Sequence, residues 1–179
     1  MMMGEDGESE DENAFGNKPL LARILVIAAG PVFNFILAFL FSIVLIHFTG
    51  CDPSTLTYVA EDSAAADAGI TVGDTVTQIN GKNIYNYREI LLYMQAEDAS
   101  KPVKLGIEHA DGSKESVVVT PKKNQDGEYK LGVAGGYVAS SGIGNEIKYA
   151  GLELRYWVKA TVTGLRMIVT GGVKNGDIM

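Results

Sequence analysis

The chain of 179 residues has a single cysteine and few cations, 15 Lys and Arg against 22 Asp and Glu. Each scarcity closes a class of function. Cys51 has no partner for an internal disulfide and cannot form a CxxC metal or redox pair, so it reads as a free thiol or a lipidation site. The shortage of cations leaves no broad basic surface to neutralise phosphates, which excludes nucleic acid as a partner. The acidity is also local: residues 1–17 hold six acids and no base, and the net charge of −7 falls to −1 for the rest. A secretory signal peptide does not fit this start, where acids replace the basic n-region and the apolar run that follows is too long.

That apolar run, Leu20 to Phe48, is what the sequence has in abundance. Ile24 to Ile46 gives 23 residues without a formal charge. At 1.5 Å per residue they reach about 35 Å, enough to span a hydrocarbon core of about 30 Å. Pro31 lacks an amide proton, so it either begins the regular helix or kinks a longer one. Gly30, Asn34, Ala38 and Ser42 recur every four residues, a flank of small or hydrogen-bonding side chains suited to close packing on another membrane helix. The Asn34 amide is costly against lipid and should face protein or a wet cavity. Lys18 and Arg23 before the run, with Asp52, Glu61 and Asp62 after it, place the N-terminus in the cytoplasm and the following residues outside.

Four segments emerge: an acidic loop (1–17) ending in a helix start at Asn17-Lys18-Pro19, a transmembrane helix (18–50), a folded domain (51–136), and a linker with an amphipathic helix (137–179). Phe15 is the large apolar side chain of the first segment, placed to touch a membrane surface. In the domain, period-two alternation and turn residues predict strands over 56–59, 75–79, 82–84, 103–107, 115–120 and 129–133. Short helices are predicted at 63–68, stopped by Gly69, and from Tyr87, capped by Asn86 with Glu89 three residues on. Asn80-Gly81 and Asp111-Gly112 make hairpin turns. The fold class is therefore membrane α plus α+β.

The stretch 146–170 is too charged to cross a bilayer. Lys148, Arg155, Lys159 and Arg166 form a stripe about 40° wide on a helical wheel, with Ile147, Leu154, Trp157, Val158, Leu165 and Ile168 on or near the opposite side. Such a helix suits an anionic membrane face or a protein surface, with Trp157 at the interface. An ordinary surface helix of the domain is the other option.

Three stretches resemble a known family. Met3-Gly4-Glu5, Ala14-Phe15-x-Asn17-Lys18-Pro19, Arg23 and Ala28-Ala29-Gly30-Pro31-x-x-Asn34 resemble the second conserved helix, and its approach, of RseP/RasP-type site-2 proteases, the bacterial intramembrane zinc metalloproteases. Ser63-Ala64-Ala65, Ala68-Gly69-Ile70, Gly73-Asp74 and Ile79-Asn80-Gly81 resemble the PDZ domain that the family carries next. Thr170-Gly171-Gly172 resembles the segment before its third conserved helix. The resemblance implies bacterial cell-membrane localisation and regulated cleavage of membrane-tethered proteins, with the PDZ domain handling or filtering substrate.

It also implies zinc in a longer parent, held by a HExxH motif and an LDG aspartate. Neither motif occurs here: His47 and His109 are not followed by Glu, and Asp111-Gly112 and Asp126-Gly127 read as turns. The chain is thus expected to be an internal fragment, inactive and without zinc by itself. Its partners are then the bilayer, the parent's other membrane helices and membrane-tethered substrates or peptide C-termini. Gly30, Pro31 and Asn34 would shape a wall near the active site. On the permuted PDZ pattern Leu131, Gly132 and Val133 start the groove strand and Ile90, Leu91 and Met94 face it, unless these apolar side chains only fill the core. Gly132 would leave amides open to a terminal carboxylate. A membrane-anchored PDZ adaptor is the alternative from a different class.

Overall fold

The structure, a computed structural model, describes residues 14–15, 18–124 and 126–170. The Asn17 cap, most of the acidic segment and Gly171-Gly172 lie outside them. The chain divides into two compact units, residues 1–41 and 42–179.

Helix α1, Leu20–Thr49, runs unbroken through Pro31. It is the one helix among the described residues that is long and apolar enough to cross a membrane. Side chains from Leu20 to Leu45 are exposed or half-buried. In the first unit the Arg23 guanidinium lies 5.3 Å from the Phe15 ring centroid, a cation–π contact that occupies Phe15.

The second unit is an α+β domain followed by a long helix. Its strands are β1 (Leu56–Val59), β2 (Thr75–Ile79), β3 (Lys82–Asn83), β4 (Val103–Glu108), β5 (Lys114–Val119), β6 (Lys122–Lys123), β7 (Tyr129–Lys130) and β8 (Val133–Gly135). Its helices are α2 (Ala64–Asp67), α3 (Tyr87–Ala96) and α4 (Ile143–Thr170). An antiparallel sheet in the order β3-β2-β4-β5 is joined by two ribbons, β1-β8 and β6-β7. Val103, Leu105 and Ile107 of β4 are buried while Lys104 is exposed, the period-two pattern of a half-buried strand. With Leu56, Ile79, Ile90, Val119 and Leu131 they form the core.

Local chemistry explains the ends of the elements. Ser63 caps α2 by accepting from the Ala66 N–H at 3.1 Å. Asn86 caps α3 by accepting from the Glu89 N–H at 3.0 Å. The Glu89 carboxylate accepts from the Tyr85 N–H at 3.1 Å instead of the cap residue's own amide, a shifted form of the reciprocal box. Asn80 and Gly81 both take positive φ, 46° and 77°, as a two-residue hairpin between β2 and β3 demands.

One predicted strand divides. Residues 129–133 are not continuous, because Gly132 adopts φ +80° and separates β7 from β8. β7 pairs with β6 and β8 with β1, so the halves belong to different ribbons. The break is fixed by the neighbouring groups: the Leu131 carbonyl accepts from the Ala65 N–H at 3.0 Å and the Gly132 carbonyl from the Ala60 N–H at 2.9 Å.

Candidate functional site

β8 pairs along one edge with β1, and among the described residues no strand covers its other edge. Backbone groups of successive strand residues point to alternate edges. Gly132 bonds toward β1, and the Thr57 hydroxyl donates to the Ala134 carbonyl at 3.3 Å. Val133 and Gly135 therefore turn their backbone groups the other way. On that side stands α3: the Tyr87 hydroxyl donates to the Val133 carbonyl at 2.9 Å.

The predicted groove residues separate into two groups. Leu131 and Ile90 are 4% and 2% exposed and belong to the core. Val133 and Met94 are half-buried and Leu91 is 46% exposed, so these three are accessible to solvent. Gly132 cannot carry a side chain, since a Cβ there would come within 2.9 Å of Ser63 Oγ. The sequence reading missed Tyr87 and Gly135. The signal was present in the spacing, because Tyr87, Leu91 and Met94 lie at i, i+4 and i+7 on one helix face. Burial pushes the Tyr87 phenol above its usual pKa, while the Gly135 backbone amide acts in the opposite direction on the same oxygen.

The rest of α3 is held by charge. Arg88 Nε donates to Asp52 Oδ2 at 3.0 Å and its Nη2 to Glu153 of α4, with the guanidinium 4.8 Å from the Tyr156 ring centroid. Burial opposes the Arg88 charge, but the two carboxylates prevail and its pKa is raised. Glu89, 1% exposed, receives Arg155 Nη1 at 3.0 Å and Lys159 Nζ at 3.3 Å. Arg155 also stacks 4.3 Å from the Tyr85 ring centroid. Below them Glu146 meets His47 Nδ1 at 2.9 Å.

Half of the predicted basic stripe is thereby turned to the domain: Arg155 and Lys159 bind Glu89, whereas Lys148 and Arg166 are exposed. Trp157 is 59% exposed, and Ile143, Ile147, Val158, Val162, Leu165 and Ile168 are exposed with it. Gly30, Pro31 and Asn34 lie exposed along α1 in the other unit.

The described residues do not fit zinc. No three His, Cys, Asp or Glu side chains among the described residues converge to hold a metal. His109 has carboxylates on opposite ring nitrogens, Asp74 at Nδ1 (2.9 Å) and Glu115 at Nε2 (3.1 Å), which straddle the ring rather than share a point. Asp111 accepts from the Ser113 N–H and hydroxyl, and Gly112 and Gly127 have φ of 84° and 82°, so both Asp-Gly pairs are turns. Cys51 is buried, its thiol 3.6 Å from the Val138 carbonyl oxygen, and burial raises its pKa.

The PDZ-domain family matches residues 55–108. Zinc metalloprotease RasP of Geobacillus kaustophilus is 34% identical over 162 residues, 88% of this chain and 38% of that protein. Regulator of sigma-W protease RasP of Bacillus subtilis is 30% identical over 164 residues, 89% of this chain and 38% of that protein. The chain spans between 38% and 52% of the length of the first relatives it matches. Among solved structures, the PDZ domain of the SdrC-like protein of Listeria innocua covers 50% of this chain and 100% of its own, at 21% identity and a TM-score of 0.42.

Proposed function

From its similarity to RasP-type zinc metalloproteases and the PDZ-domain match, we propose that this chain is the substrate-handling part of an intramembrane protease. The PDZ domain binds the extended end of a membrane-tethered protein, while α1 crosses the bacterial membrane with its N-terminal side in the cytoplasm. The observation that carries the reading is the second edge of β8, which faces α3 and, among the described residues, has no strand on it. An extended chain adds there as a strand, its backbone giving affinity and Leu91, Met94 and Val133 receiving side chains. The turn at Gly132, with φ of +80°, supports capture of a terminal carboxylate by backbone amides.

The basic helix belongs to the same reading. The exposed apolar side of α4, bordered by Lys148 and Arg166, suits the surface of an anionic bilayer, with Trp157 at headgroup level. Gly30, Pro31 and Asn34 in α1 face the parent's remaining membrane helices. The zinc chemistry belongs to ligands that the described residues do not supply, and the chain by itself is inactive. Incubating it in zinc-containing proteoliposomes with a membrane-tethered reporter checks this, and cleavage overturns it.

Binding is tested with the chain in lipid nanodiscs, titrated with a peptide carrying a free carboxylate and with its amidated form. Amide shifts concentrated on 131–135 and 87–94, and weaker for the amidated peptide, are expected. Shifts confined elsewhere, or none, remove the groove assignment.

A further inference from the structure

Resting on that peptide-binding reading, we propose that Tyr87 sets how much of a bound chain the groove reads. Its hydroxyl already holds the strand edge that an incoming chain would use, so the site grips the last residue or two of a chain and stops there.

The geometry follows from the alternation of the strand. Val133 and Gly135 are the residues of β8 whose backbone groups face α3, and a docked strand must bond to both to extend along the groove. The Val133 carbonyl accepts from the Tyr87 hydroxyl at 2.9 Å. The Gly135 amide acts on the same hydroxyl oxygen. The ring also lies on Gly135 closely enough that a Cβ there would come within 2.6 Å of Tyr87 Cβ. One side chain thus takes an acceptor from one rung and faces the donor of the next, in the place of a strand partner. The Val133 amide and the Gly132 turn remain as the part of the edge that Tyr87 does not cover. That part is where a terminal carboxylate would arrive. Tyr87 stands at the start of the helix face it shares with Leu91 and Met94. Glycine at 135 is the condition for the closure, since any side chain would displace the ring.

The experiment compares the full chain in nanodiscs with Tyr87→Phe, which keeps the ring and loses the hydroxyl, and Tyr87→Ala, which clears the groove. Hydrogen exchange at the Gly135 amide is measured first, without peptide. It is expected to be protected in the natural sequence and about tenfold faster in Tyr87→Phe. Equal exchange overturns the closure whatever the peptides do.

Affinity is then measured for an acetylated tripeptide and an acetylated heptapeptide sharing one free-carboxylate end. The natural sequence is expected to bind them within about twofold of each other, and both variants to favour the heptapeptide by about tenfold. A natural sequence that already favours the longer peptide, or variants that do not, overturns the proposal. Should Gly135 respond as expected while no form binds either peptide, the peptide-binding reading itself fails and the length selectivity with it.

Discussion

Arg155 of α4 and Glu89 of α3 meet at 3.0 Å although 66 residues separate them, and the carboxylate they share is 1% exposed. A buried carboxylate is tolerated because Arg155, Lys159 and the Tyr85 N–H all serve it. Glu89→Ala strands two cations and exposes the Tyr85 amide. A loss of about 2–3 kcal/mol is expected, below the 3–5 typical of a fully buried pair because Arg155 is partly exposed. Urea unfolding of the second unit measures it, and a change under about 0.5 kcal/mol refutes the role assigned to Glu89.

His109 makes stability fall as pH rises. Its hydrogen bond to Asp74 comes first, then that to Glu115, and together they raise its pKa above the ordinary 6.5. A raised folded-state pKa gives stability that is full below 6.5 and is lost as pH climbs through the folded value. The unfolding midpoint should decline across that window, and His109→Gln should flatten the decline. Parallel slopes in the two proteins count against the assignment.

Gly132 should not accept a side chain. Its φ of +80° penalises any L residue by about 1–2 kcal/mol, and the contact with Ser63 adds overpacking of about 1–3 kcal/mol. Gly132→Ala is expected to lower the melting temperature and to speed exchange of the Ala60 and Ala65 amides, which bond to residues 132 and 131. An unchanged melting curve contradicts this.

Trp157, the chain's single tryptophan, reports on α4. In nanodiscs its emission should shift to the blue when anionic lipid replaces neutral lipid, and Lys148→Gln with Arg166→Gln should reduce the shift. Emission indifferent to lipid charge argues that the apolar side of α4 meets protein instead.

Much of the domain was legible because its punctuation is chemical and local. Asn80-Gly81, the Gly69 stop and the Asn86 cap each fix one backbone conformation, so β2, α2 and α3 could be placed from a few residues. The apolar length of α1 was equally plain. The sequence was silent where tertiary contacts decide. Residues 129–133 alternate as a strand should, yet the Ala65 and Ala60 amides pull residues 131 and 132 into a turn. The four cations of α4 form one stripe on a wheel, but Glu89, far away in sequence, claims two of them. Tyr87 went unnoticed because its role depends on Gly135, 48 positions later, whose meaning lies in the ring that rests on it.

Cys51 and Val138 exchange both backbone hydrogen bonds, each at 2.9 Å, immediately after α1 and shortly before α4. The domain between them is thus entered and left through a single doorway. A module with adjoining ends can be inserted between two helices, exchanged or duplicated without changing the spacing of what it interrupts. Gly50 guards that doorway, since a Cβ there would come within 2.9 Å of the Val138 carbonyl carbon. The graft points for transplanting this domain into another membrane scaffold are therefore Gly50 and Val138, not the limits of its outermost strands.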